Sequence, residues 1–263
     1  MDYFFYLGVG AIAGLISGLL GLGGGAVIVP LLIFAFSARG IATEVTTHLA
    51  IGTSLATIIF TALSSIYTHH QKNAIRWDLV KIMVPGILLG AWLGGLFAVS
   101  LKAVILQLLF GGFMILVALQ LLIYKPKVGI KPMPRPATMG LTGSAIGAIS
   151  ALFGIGGGTL TTPFLTFFGI KIHQAVATAA ACGLPIALAA TYAYATADVT
   201  AANLPAGSLG YVFIPAWLGI ILASLPCARL GALLAHRADG RQLRICFGWV
   251  LIALGTRFIY INL

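Results

Sequence analysis

Negative charge is what this chain has least of. Its 263 residues include five Asp and Glu against fifteen Lys and Arg. All five acids, Asp2, Glu44, Asp78, Asp198 and Asp239, fall at or near the ends of apolar segments. No carboxylate is placed to hold a cation or relay protons at the middle of a membrane, so neither a metal-cation carrier nor a proton pump is expected, and no metal or other cofactor. Cysteine is scarce too. Cys182, Cys227 and Cys246 stand apart without C-x-x-C spacing, so neither a disulfide framework nor a zinc site can be argued. Charged residues of both signs make up only 8% of the chain, hydrophobic ones 60%, and the mean hydropathy is +1.08, which excludes an ordinary soluble domain. Period-2 alternation is absent, which argues against a transmembrane barrel. No basic n-region or small-residue cleavage site marks the start, so a removable signal peptide is not expected. The net charge of +10 resides in short loops, where basic residues orient a membrane protein; nucleic acid is not an expected partner.

What is there is a set of apolar runs of about 18 to 25 residues, the length a helix needs to cross a ~30 Å hydrocarbon core. The expected fold is an all-α polytopic bundle in the lipid bilayer of the inner (plasma) membrane. The chain also repeats itself. "GLLGLGGGAVIVPLL" (18–32) and "ALFGIGGGTLTTPFL" (151–165) share seven of fifteen positions, four glycines and the proline among them. "HLAIGTSLATIIFTALSSIY" (48–67) and "HQAVATAAACGLPIALAATY" (173–192) share seven of twenty. Further on, Pro85 answers Pro215 and Gly112 answers Gly248. The stretch 124–138 carries four prolines and four basic residues and marks a solvated seam. The expected organisation is repeat 1 over 1–124, a basic linker over 125–137 and repeat 2 over 138–263. Each repeat holds four apolar elements: 3–36, 45–66, 79–100 and 103–124, then 138–168, 173–196, 209–235 and 241–262.

Charge decides the topology. If all eight elements cross, the basic residues divide eight inside to seven outside; if 138–168 enters and returns on one side, they divide twelve to three. The positive-inside rule selects the second arrangement. By symmetry the first glycine element is also re-entrant, which leaves three crossings per repeat, two mutually inverted repeats, a cytoplasmic 125–137 loop and an extracytoplasmic C-terminus. Inverted repeats with broken helices place substrate at the repeat interface in many secondary transporters.

Glycine runs destabilise a helix interior and permit unusual backbone. Gly23-Gly24-Gly25 and Gly156-Gly157-Gly158 are expected to break their helices, with Gly21, Pro30, Gly154 and Pro163 shaping the breaks. The half-helix after each break begins with unpaired N–H groups at its positive dipole end, which suits a small oxyanion. Thr159 and Thr161, with Thr162, add hydroxyls after the second break, where the first copy has Ala26, Val27 and Ile28. Thr53, Ser54 and Thr178 open the following helices and are candidates to face the same cavity. Small residues and hydroxyls also serve helix packing, and both readings stand at this stage. His48 and His173 read as interfacial or capping residues, His69 and His70 as loop residues, and Arg229 as a snorkelling side chain.

The paired "GLLGLGGGAVIVP" and "ALFGIGGGTLTTP", each followed by a helix carrying "AIGTS" or "AVATA", resemble the sulfite exporter TauE/SafE family, also called the 4-toluene sulfonate uptake permease family. The resemblance covers essentially the whole chain. It implies a transporter, not an enzyme, whose partner is a small anionic sulfur compound: sulfite, thiosulfate, sulfoacetate or a related organosulfonate. The repeats differ where Thr53-Ser54 faces Thr178-Ala179, so the polar pair carries over in one copy only. A passive anion channel and an intramembrane sulfur-handling enzyme using Cys182 are the alternatives, and a homodimer is left open.

Overall fold

In the computed structural model the described residues are 2–20, 25–123, 133–199, 203–235 and 240–262. Gly21, Gly23 and Gly24, and most of the expected linker, lie outside them. The helices are α1 (Asp2–Leu20), α2 (Gly25–Ala38), α3 (Thr43–Gln71), α4 (Trp77–Ser100), α5 (Ala103–Ile123), α6 (Pro136–Phe153), α7 (Gly158–Phe167), α8 (Ile172–Ala195), α9 (Ile214–Ala235) and α10 (Gly240–Asn262). Among the described residues six helical segments, α3, α4, α5, α6, α8 and Ile245–Asn262, are long and apolar enough to cross a membrane. The outward faces of α4, α5 and α10 carry Leu89, Phe97, Leu116, Val250 and Ile261, all more than 40% exposed. Hydrocarbon, not water, is the solvent for such a surface.

Both glycine elements are split helices. α1 gives way to α2, which opens at Gly25, and α6 ends at Phe153 with Gly154 in the left-handed region, φ +64°, a conformation that favours glycine. Pro30 and Pro163 each occupy the sixth position of the half-helix that follows. The Arg39 guanidinium donates to the Tyr6 hydroxyl at 3.1 Å, so the end of α2 returns to the start of α1. On the other side, Gly140 near the start of α6 meets Gly86 of α4, while Thr178 near the start of α8 accepts from the Arg76 N–H just before α4. Both contacts fall on the first half of α4 or just before it.

The split helices pack on the partner half of the chain. α1 runs parallel to α9: a Cβ built on Gly10 would meet the Ile220 carbonyl at 2.8 Å, and one on Gly14 would meet that of Ser224 at 2.6 Å. α6 runs parallel to α4 in the same manner, with Gly143 against the Met83 carbonyl at 2.8 Å and Gly147 against that of Ile87 at 2.5 Å. Such spacing of small residues lets backbones approach closely in lipid. α3 and α8 are antiparallel, Gly52 lying beside Tyr194, and Ile58 and Ala62 beside Ala187. α5 and α10 are antiparallel too, through Gly111 against Gly255 and Gly248 against Leu122.

Two sequence expectations need correction. The seventh element begins at Ile214 and not at 209, because residues 208–213 form a short antiparallel hairpin, β1 (Ser208–Leu209) and β2 (Val212–Phe213). Gly207 and Gly210, at φ +89° and +52°, set its turns. The contacts of Gly10, Gly14, Gly143 and Gly147 also match Met83 to Ile220 and Ile87 to Ser224, a shift of 137 residues. Pro215 is therefore not the counterpart of Pro85, which falls at Leu222.

Candidate functional site

The two glycine breaks touch. A Cβ on Gly25 would lie 2.7 Å from the Ile155 Cα, and the Ser54 hydroxyl donates to the Gly154 carbonyl at 2.9 Å. On the α7 side of this junction a cleft of about 340 Å³ descends into the bundle. Its floor is buried and formed by Ala13, Gly14, Ile28, Ile58, Gly156, Gly157 and Ser224. Its mouth lies between Thr68 and Arg229, both exposed, with His69 beside them. One wall is a face of α3: Thr61, Ser64, Ser65 and Thr68 recur at helical spacing. The opposite wall is α9, through Ser224, Leu225, Ala228 and Arg229. No acidic residue is in the lining among the described residues.

Electrostatically the floor is a set of donors. Thr161 N–H bonds back to the Gly157 carbonyl at 2.9 Å, the first bond of α7. The amides of Gly156, Gly157, Gly158, Thr159 and Leu160 find no acceptor on the chain among the described residues. They sit at the positive end of α7, the arrangement that holds anions in many folds. Two further groups reinforce it. Ser224 is 2% exposed and its hydroxyl has no partner, an expensive state unless a ligand fills it. Arg229 forms no ion pair or hydrogen bond among the described residues, so its charge is free for something entering the mouth. Roughly 7.5 Å of helix rise separates Ser224 from Arg229, at 1.5 Å per residue.

Among the residues singled out from sequence, Gly156, Gly157 and Gly158 line the cleft; Gly25 and Gly154 form the junction behind it. Thr159 and Thr161 are buried with unpartnered hydroxyls but do not line the cleft. Thr53, Ser54 and Thr178 do not line it either: the Thr53 hydroxyl accepts from the Phe213 N–H at 3.0 Å and Thr178 from the Arg76 N–H at 3.0 Å. Each thus holds the segment that leads into the third long helix of the other half. Replacing Thr53 with Val strands a buried amide, which costs about 1–3 kcal/mol. The expected result is a lower Tm in detergent with substrate affinity unchanged; an affinity loss at constant Tm contradicts the stapling role. Thr178→Val should do the same more weakly, because the Arg76 amide is only partly buried.

Arg229 and His69 line the mouth of the cleft, and His69 lies in the last turn of α3, not in a loop as read from the sequence. His48 is 3% exposed, bonded through Nε2 to the Ala98 carbonyl at 3.1 Å and packed on Tyr211, whereas His173 is exposed. Cys182 is fully buried and does not line the cleft.

The bundle is sealed at the end away from the mouth. Tyr6, Phe36 and Phe213 meet edge to face, with centroids 5.7–6.2 Å apart, and the Arg39 guanidinium lies 4.5 Å over the Tyr6 ring. Phe213 stands eleven residues before Ser224, roughly 16 Å of helix away.

A multi-pass helical bundle with split helices and a hydroxyl-lined cleft between them has the build of a membrane transporter. The chain belongs to the sulfite exporter TauE/SafE family, whose model matches residues 6–258. It is 34% identical to a probable membrane transporter protein of Haemophilus influenzae, over 94% of each chain. It is also 30% identical to the probable membrane transporter protein YunE of Bacillus subtilis, over 99% of this chain and 98% of that one. A probable membrane transporter protein of Methanocaldococcus jannaschii is 28% identical, over 94% and 91%. No solved structure matches.

Proposed function

We propose that the protein is a secondary transporter of small sulfur-containing oxyanions and organosulfonates, of the sulfite, thiosulfate and sulfoacetate class, held at the glycine break that opens α7. The observation that carries this reading is the convergence of the free amides of Gly156, Gly157 and Gly158, the unpartnered Ser224 hydroxyl and the Arg229 guanidinium on one cleft, with no carboxylate in its lining among the described residues. The family's description supplies the sulfur chemistry; the donors supply the selection for an oxyanion.

In this reading residues 1–124 and 138–263 are inverted repeats joined by a cytoplasmic linker at 125–137. Each is a re-entrant hairpin plus three crossings, and the C-terminus is extracytoplasmic. Support comes from the antiparallel packing of α3 on α8 and α5 on α10, and from the return of α2 to Tyr6. The mouth at Thr68 and Arg229 then faces the cytoplasm, and the Tyr6–Phe36–Phe213 cluster seals the outer face. A closed floor suits a carrier better than a channel. For a singly charged anion, export follows the inside-negative potential, worth about 2.3 kcal/mol per 100 mV, and needs no coupling ion.

The test is flux of labelled sulfite, thiosulfate and sulfoacetate through protein reconstituted in liposomes. Saturable uptake of at least one is expected, with zwitterionic taurine excluded. Non-saturating conductance points to a channel, and absence of flux for all three overturns the assignment. A reporter fused to the C-terminus should be active only outside the cytoplasm.

A further inference from the structure

Thr161 is fully buried with an unpartnered hydroxyl, and Thr159 is 4% exposed with the same defect. Threonines in helices ordinarily bond the carbonyl one turn back, as Thr166 of α7 does to Thr162 at 3.0 Å. Thr161 does not, and it is not among the residues that line the cleft.

The duplication says where it belongs. Three independent shifts relate the halves: 133 residues for the split helices, from the paired glycine motifs; 125 for α3 and α8; and 137 for α4 and α9. The last two are tied together by the reciprocal bonds Thr53 to Phe213 and Thr178 to Arg76. Applied to the cleft, these shifts carry Ile28 of the floor onto Thr161, and Ser65, Thr68 and His69 of the wall onto Ala190, Ala193 and Tyr194. All four target residues are fully buried now. If the halves exchange conformations, the cleft reappears on the opposite face with Thr161 in its floor.

We infer that Thr161 is a substrate-binding residue of the state open to the opposite face: its hydroxyl, orphaned here, donates to the anion there, where Ser224 no longer reaches it. The inference rests on the exchange of repeats proposed above. It makes the two states chemically unequal, with a hydroxyl from α9 on one side and from α7 on the other.

Thiosulfate transport measured in both right-side-out and everted vesicles tests this. Thr161→Val should raise KM about tenfold from the face opposite the Thr68–Arg229 mouth and less than twofold from the mouth face, with Thr161→Ser restoring the wild-type value. An equal change on both faces, or no change, overturns the inference. A second measurement does not depend on the anion chosen. Thr161→Cys and Ala193→Cys, in protein lacking Cys227 and Cys246, should react with a membrane-impermeant maleimide added to the face opposite the mouth. Failure of both to react from that face overturns it. If Ser65→Cys is labelled from the mouth but Arg229→Gln leaves flux unaltered, the anion site itself is wrong. If Arg229→Gln abolishes flux and only the Thr161 arms fail, the error lies in the exchange.

Discussion

Replacing Gly157 with Leu is expected to abolish transport, lowering flux by more than a hundredfold, while the protein still inserts and purifies as a folded bundle. Gly157 has φ −60° and ψ −18°, a conformation open to any residue, so the obstacle is space alone. A Cβ there would lie 2.6 Å from the Ala179 carbonyl and 3.0 Å from the Gly183 amide. Both are backbone atoms that cannot swing away, so α7 must move off α8. Overpacking of this kind costs about 1–3 kcal/mol, which a bundle of this size survives. A displacement near 1 Å is enough to scatter a constellation of donors and cost on the order of a hundredfold in rate. Gly157→Ala should already lose most of the flux. Gly112→Ala is the control, since nothing lies within 4 Å of the added methyl, and its flux should be unchanged. Normal flux in Gly157→Leu would falsify the placement of substrate at this break.

Arg229→Gln should reduce the apparent kcat/KM for a sulfur oxyanion by about 10–100-fold. A hydrogen bond to a charged group contributes about 1.5–3 kcal/mol, and each 1.4 kcal/mol is a factor of ten. Because Arg229 has no partner among the described residues, its loss strands no described carboxylate, and Tm is expected to stay within a degree or so of wild type. Arg229→Lys keeps the charge but not the planar fork, so an intermediate loss is expected, near tenfold. The sign is informative: a snorkelling arginine predicts unchanged kinetics, and a purely structural one predicts lost stability.

The contrast between Thr53 and Ser224 explains what the sequence made legible. Repetition exposed the architecture: the second glycine motif marks the end of α6 at Gly154 and the start of α7 at Gly158, and the first marks the start of α2 at Gly25. The same repetition misdirected the search for ligands. Thr53 and Thr178 occupy equivalent places because both halves need the same staple, so their agreement reports a shared structural demand. The cleft is built where the halves disagree, with Ser224 against Ile87, and His69 against Tyr194. Such differences look like drift until the packing supplies a register, and the 137-residue shift became readable only from the contacts of Gly10, Gly14, Gly143 and Gly147. His69 was hidden for a further reason. α3 has 29 residues, about 43 Å of helix against a ~30 Å core, so its last turns carry the composition of a loop while still forming a wall. The hydroxyl row at 61, 64, 65 and 68 was visible in the sequence and is the signal that would have found this wall.

The shifts that relate the halves do not repeat the aromatic cluster of Tyr6, Phe36 and Phe213. Tyr6 and Phe213 fall opposite Met139 and Arg76, and Phe36 falls opposite Gly169, two residues past the end of α7. Under the proposed exchange of halves these three edge-to-face pairs, at about 0.5–1.5 kcal/mol each, part without a counterpart forming by symmetry. That weights the empty carrier toward the form seen here by a factor on the order of ten to a thousand. On the proposed exchange of repeats, the parting of Tyr6, Phe36 and Phe213 becomes a cost of each turnover that binding of the anion has to offset.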